Sequence, residues 1–75
     1  MTEAQQLKNE GNQAFMNKDY EKAIELYSQA IEKDSNDVSF FSNRSGAYFN
    51  LGKFDEALSD AEIILSKDPK FSKGY

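Results

Sequence analysis

The chain contains no cysteine and no histidine. The first absence excludes disulfides, a thiolate nucleophile and cysteine zinc sites, and leaves nothing pointing to an oxidising compartment. The second removes the usual general base and the commonest metal ligand. No apolar run approaches the roughly 20 residues that a membrane-spanning helix needs. Met1-Thr2-Glu3 lacks the basic character of a signal or transit segment. Positive charge is in the minority: nine Lys and Arg stand against thirteen Asp and Glu, a formal net charge of −4. That balance disfavours nucleic acid and anionic membrane as partners. What is present is one small domain of 75 residues, 39% apolar and 29% charged, which reads as globular rather than disordered. A domain this short buries only about 60% of its unfolded surface. The expectation is a cytoplasmic chain with no cofactor and no metal. Nothing within it is equipped for catalysis, so it does not read as an enzyme.

Shifted by 34 residues, the chain lies over itself. Asn9 meets Asn43, Phe15 meets Phe49, Ala23 meets Ala57, Lys33 meets Lys67 and Asp34 meets Asp68. Conservative pairs fill the intervals: Leu7 with Phe41, Tyr20 with Phe54, Ile24 with Leu58, Ile31 with Leu65. A helical array with this period implies stacked helix pairs, which are usually binding surfaces.

Thr2-Glu3-Ala4-Gln5 has the form of a capping box, so a helix is predicted from about Glu3. Ala4, Leu7, Gly11, Ala14 and Phe15 recur along it at amphipathic spacing. Asn17-Lys18-Asp19 interrupts, with Asp19 placed to cap a second helix through Tyr20, Ala23, Ile24, Tyr27, Ala30 and Ile31 to about Lys33. After the turn Ser35-Asn36-Asp37, a third helix is predicted from Val38 to Leu51, stopped by Gly52. Phe54, Ala57, Leu58, Ala61, Ile64 and Leu65 mark a fourth, and Asp68-Pro69 would begin the cycle again. The fold class is all-α. Small residues (Gly11, Ala23, Ala30, Ser45, Ala57, Ala61) are expected where helices approach closely, with Phe15, Tyr20, Phe41, Tyr48 and Phe54 filling the gaps between pairs.

The period, the run Leu7…Gly11…Tyr20-x-x-Ala23…Tyr27-x-x-Ala30 and the run Phe41…Tyr48…Phe54-x-x-Ala57…Pro69 resemble tetratricopeptide repeats. The resemblance covers nearly the whole chain and implies one domain, 1–75. Within it the first repeat lies at about 4–37, the second at about 38–71, and the start of a third at 72–75. Ser35, Ser45 and Ala61 depart from the family pattern without disturbing it.

Lys8 and Asn12, four apart on one helix, share a face. The resemblance implies that they point into a concave groove together with Asn43 and Lys73. Two ammonium groups and two carboxamides suit a C-terminal carboxylate. The set resembles the carboxylate clamp of co-chaperone tetratricopeptide domains, which hold the acidic Glu-Glu-Val-Asp tail of cytosolic heat-shock chaperones. The strings Lys8-Asn9-Glu10-Gly11-Asn12, Ser42-Asn43-Arg44-Ser45 and Ser72-Lys73-Gly74-Tyr75 look like the first domain of the chaperone-organising co-chaperone family. That resemblance implies the tail of the seventy-kilodalton chaperone, with the ninety-kilodalton class as the other candidate. A fifth clamp residue, an arginine, would fall beyond Tyr75.

Each residue has a plainer reading beside this one. A single lysine on a helix is ordinarily solvated, but asparagine is a mediocre helix former, and two of them facing one groove want a reason. Gly46 is either a weak helix position or room for a ligand side chain. Phe49 and Asn50 are expected further along the groove, Phe49 as an apolar wall, whereas Phe15 is assigned to the core. Arg44 is read as structural or solvated, and the acidic residues, Asp60 among them, as a solvated convex face. Two other functions stay open: a scaffold for an unrelated protein ligand, and the targeting domain of a phosphatase, prolyl isomerase or ubiquitin ligase. The chain is expected to continue naturally beyond Tyr75. An apolar face around Leu58, Ile64 and Leu65 is expected to lie open, inviting self-association.

Overall fold

A computed structural model describes residues 2–67. Four helices follow in order: α1 (Glu3–Met16), α2 (Tyr20–Lys33), α3 (Val38–Asn50) and α4 (Phe54–Lys67). No strand occurs among the described residues. The expected restart at Pro69 and the residue Lys73 lie outside them.

The helix ends are set by local chemistry. Thr2 Oγ1 accepts from the Gln5 amide at 3.1 Å, and Asp19 Oδ1 accepts from the Lys22 amide at 3.4 Å. Both thereby satisfy amides that a helix leaves unpaired at its start. Asp37 caps α3 by accepting from the backbone and the hydroxyl of Ser39, at 3.0 and 2.6 Å. At the other ends, α1 and α3 stop in the same way. The amide of Asp19 returns to Ala14 O at 2.8 Å and that of Lys18 to Phe15 O at 2.9 Å. One repeat later Lys53 returns to Tyr48 O at 2.9 Å and Gly52 to Phe49 O at 3.0 Å. This closure needs a left-handed residue just past the helix, and Lys18 (φ 65°) and Gly52 (φ 81°) supply it.

Short connections make α1/α2 and α3/α4 antiparallel pairs. Glu3 at the start of α1 meets Lys33 at the end of α2 at 3.4 Å, while Phe15 and Tyr20 meet edge to face at the other end. The ion pair is exposed on both sides and contributes little. Packing does more. Ala14, Ala23, Tyr27 and Ala47 form one buried cluster, flanked by Phe15, Tyr20, Ile24 and Leu26. Ala4, Ala30 and Phe40 form a second, flanked by Leu7 and Ile31. Ala47 and Phe40 belong to α3, so both clusters bind the second pair onto the first. Tyr27 and Phe40 are the largest fully buried side chains, and burying a side chain such as Phe40 is worth about 1.5–3 kcal/mol.

Three expectations need correction. Phe54 does not fill a gap between pairs but stands 59% exposed, because no helix of the described residues lies over it. Ile64 is buried rather than part of the open face, since α4 turns Ala57, Asp60 and Ile64 inward; Leu58 and Leu65 do lie exposed. Asp60 is not on a solvated face. It is 2% exposed and accepts both a 2.9 Å bond from Arg44 Nε and a 2.6 Å bond from Arg44 Nη2. Arg44 also donates to Ser28 Oγ at 3.1 Å, so one guanidinium ties α3 to α2 and α4. The hydrogen bonds that Arg44 donates to Asp60, and the charge of that carboxylate, hold the Arg44 pKa above its ordinary value although burial opposes this.

Candidate functional site

The first link in the site is an absence of bulk. Gly11 lies in the middle of α1, and a Cβ there would stand 2.6 Å from Cε1 and 2.8 Å from Cδ1 of Tyr27. Only glycine lets the ring approach α1 this closely. The ring edge passes across the backbone, and the hydroxyl emerges at the next residue, donating to Oδ1 of Asn12 at 2.6 Å. Burial raises the Tyr27 pKa, so the phenol keeps its proton.

Asn12 and Asn43 line one open pocket of about 470 Å³, on the side where α1 and α3 meet. Tyr27 and Gly46 contribute to its surface, Ser42 adds a hydroxyl, and Phe15 and Met16 supply an apolar wall. Asn43 is half-buried and makes no side-chain hydrogen bond among the described residues. Lys8, one turn before Asn12 on the same face of α1, is half-buried and has no ion-pair partner among the described residues. Lys8 itself is outside the lining, so two carboxamides face the pocket and the cation stands one helical turn further along α1.

The other anticipated residues distribute as follows. Gly46 lines the pocket, and a Cβ there would meet Phe15 only at 3.8 Å, an ordinary contact. Phe15, assigned to the core, both flanks the Tyr27 cluster and forms pocket wall. Phe49 and Asn50 are outside the lining of this pocket. Phe49 packs edge to face on Phe54, with centroids 5.2 Å apart, and Asn50 Nδ2 donates to Gly46 O at 2.8 Å. Sequence reasoning missed Met16, Ser42 and above all the polar end of Tyr27, which it read only as part of an apolar stripe. The usable signal was a glycine in one helix paired with a large aromatic in its partner. Among the described residues no group of carboxylates could hold a metal ion, and no helix is long and apolar enough to cross a membrane.

Relatives share this frame. The family model described as "Serine/threonine-protein kinase BSK1-like, TPR repeats" matches residues 1–74. Small glutamine-rich tetratricopeptide repeat-containing protein 2 of Mycosarcoma maydis is 47% identical over 75 residues, all of this chain and 21% of that protein. Heat shock protein STI1 of Saccharomyces cerevisiae is 47% identical over 73 residues, 96% of this chain and 12% of that protein. The chain thus spans about a fifth or less of the curated relatives it matches. Among solved structures, the Sgt2 TPR domain from Aspergillus fumigatus superposes with a TM-score of 0.91 at 42% identity, over 97% of this chain and 48% of that one. The first TPR of Spaghetti (RPAP3), bound to the HSP90 peptide SRMEEVD, superposes with a TM-score of 0.89 at 32% identity, over 95% and 56%. The four helices, their 34-residue recurrence and these matches together show that the chain belongs to the tetratricopeptide-repeat family and is homologous to the repeats of Sgt2- and STI1-type proteins.

Proposed function

We propose that this chain is a co-chaperone adaptor module that captures the acidic Glu-Glu-Val-Asp tail of a cytosolic heat-shock chaperone by its C-terminal carboxylate. One observation carries the reading: Asn12 and Asn43, from different helices, line one pocket, with Lys8 a turn away and unpaired among the described residues. A carboxylate accepts hydrogen bonds and carries negative charge; this pocket offers carboxamide donors, and the Lys8 ammonium stands one turn along the same helix face. Lys73 would add the second ammonium. The structural neighbour solved with a peptide ending in the same four residues supports the choice of ligand. The seventy-kilodalton class is the partner that the sequence resemblance favours, with the ninety-kilodalton class tested beside it.

Calorimetry with heptapeptides ending in Glu-Glu-Val-Asp, as free acid and as C-terminal amide, tests this. Lys8→Ala and Asn43→Ala should each weaken the free acid about tenfold or more, since a hydrogen bond to a charged group is worth about 1.5–3 kcal/mol. Amidation should cost a similar amount, and added salt should weaken the acid more than the amide. Equal affinity for acid and amide would eliminate the carboxylate seat.

A further inference from the structure

We infer that Tyr27 is a positioning residue of this pocket: its hydroxyl fixes the Asn12 carboxamide so that the amide presents N–H, not oxygen, to a ligand. The inference rests on the carboxylate reading and sharpens it. An asparagine has an acceptor end and a donor end of nearly the same shape, and a half-turn about its terminal bond exchanges them. Left to itself on a pocket wall, Asn12 would offer either, and an oxygen facing a carboxylate repels it.

Two observations select the donor orientation. The Tyr27 oxygen lies 2.6 Å from Asn12 Oδ1. That is a normal length for O–H···O and short for an N–H donor, which prefers about 2.9–3.0 Å. The ring is also fully buried, at 1% exposed. If the Asn12 nitrogen faced it, the phenol proton would lose its one acceptor among the described residues, and a stranded buried donor is costly. With Oδ1 engaged by Tyr27, both Nδ2 protons remain for the pocket.

The second repeat serves as an internal control. The three positions that build this device, Gly11, Asn12 and Tyr27, are occupied 34 residues later by Ser45, Gly46 and Ala61. There the glycine, the carboxamide and the phenol are all missing. Ser45 instead donates to Ala57 O at 3.0 Å within its own helix pair. The approach of Tyr27 to Gly11 follows the repeat pattern; what is particular to the first repeat is the Asn12 carboxamide that the phenol engages.

The test is a double-mutant cycle in the full chain, read by calorimetry with the free-acid heptapeptide ending in Glu-Glu-Val-Asp. Tyr27→Phe keeps the ring and removes only the hydroxyl. It should weaken binding between about twofold and tenfold, the range for one neutral hydrogen bond. In an Asn12→Ala background the same change should do nothing, because there is no amide left to orient. Asn12→Asp supplies a second arm: it keeps an acceptor for Tyr27 and so the fold, but offers no donor, and should bind more weakly than Asn12→Ala. The inference is overturned if Tyr27→Phe binds like the parent while Asn12→Ala does not. It is equally overturned if the Tyr27→Phe loss is the same in both backgrounds, which would mean that the ring acts through pocket shape. Parent-like binding by Asn12→Ala would sink the carboxylate reading itself, and the inference with it.

Discussion

Phe15 with Tyr20 and Phe49 with Phe54 occupy the same positions one repeat apart, and both form edge-to-face pairs with centroids 5.1 and 5.2 Å apart. The first pair is half-buried; the second stands 63% and 59% exposed. The pattern extends along α2 and α4: Ile24 and Ile31 are half-buried, whereas their counterparts Leu58 and Leu65 are 61% and 49% exposed. The side chains are alike, so local sequence does not decide the difference. The burial of a repeat comes from the helix laid over it, and only the first repeat has α3 above it among the described residues. This is the expected behaviour of a solenoid, in which stability resides in interfaces between units.

The two repeats also join their helices by different chemistry. In the first, a large ring fills the space between α1 and α2 against Gly11. In the second, Ala61 leaves that space, and Arg44 with Asp60 forms a buried ion pair in which the side chains are 18% and 3% exposed. The positions of that pair correspond to Glu10 and Leu26 in the first repeat.

Removing Asp60 should produce the largest effect. Asp60→Ala leaves a mostly buried guanidinium with Ser28 as its remaining hydrogen-bond partner, a change expected to cost about 3 kcal/mol. In a domain of this size that corresponds to roughly 12–24 °C in Tm. Replacing both partners, Arg44→Met with Asp60→Leu, strands no charge and should cost far less, which restores the apolar character of Leu26 in the first repeat. Urea denaturation of the single and double variants checks this; equal losses would mean that charge pairing is not what joins the second repeat. Because Asp60 raises the Arg44 pKa, this contribution is present at neutral pH and, on the alkaline side, is lost only as pH rises through the elevated folded value.

The contrast between the two helical glycines comes next. Alanine is favoured over glycine within a helix by about 1 kcal/mol. At Gly46 the added methyl finds Phe15 at 3.8 Å, so Gly46→Ala should gain most of that, raising Tm by about 4–8 °C. At Gly11 it would meet a wholly buried ring at 2.6 Å. Overpacking of about 1–3 kcal/mol should outweigh the propensity, so Gly11→Ala should lower Tm and disturb the Tyr27–Asn12 bond. Opposite signs by calorimetric scan sharpen the comparison; like signs would remove the close approach as the reason for Gly11.

The helices and their caps were legible in the sequence because they depend on neighbours three or four residues away. Thr2, Asp19 and Gly52 stand where the sequence put them, and α3 ends within a residue of the expected Leu51. What escaped were contacts set by the rotation of one helix against another. Tyr27 reaches Asn12 across 15 residues and Arg44 reaches Asp60 across 16. Phe40 was hidden for a related reason. Its counterpart is the exposed Gln6, so the 34-residue repeat gave no hint of a residue that is needed only where one pair seats on another. In the candidate site, Asn12, Asn43 and Gly46 do come together in one pocket, while the polar role of Tyr27 could not be read from an apolar stripe.

The smallest expected effect tests a turn where the repeats share a left-handed backbone but not a residue. Lys18 and Gly52 occupy the same left-handed position after α1 and α3, with φ of 65° and 81°. A side chain in this region brings Cβ against the backbone at a cost of about 1–2 kcal/mol, which glycine avoids. Glycine also loses more freedom on folding, so the net advantage is smaller than that strain. Lys18→Gly should therefore stabilise the chain by about 0.5 kcal/mol, and Gly52→Lys should destabilise it by about 1 kcal/mol. Apart from its chain neighbours, no atom of the described residues lies within 4 Å of a Cβ at Gly52, so any loss there reflects backbone strain and not a clash. Denaturation midpoints of the two variants and of the exchange carrying both decide the matter. If Lys18→Gly is neutral while Gly52→Lys is costly, the two turns differ in how firmly they must hold the left-handed residue. If both are neutral, the shared closure contributes nothing to stability in either repeat.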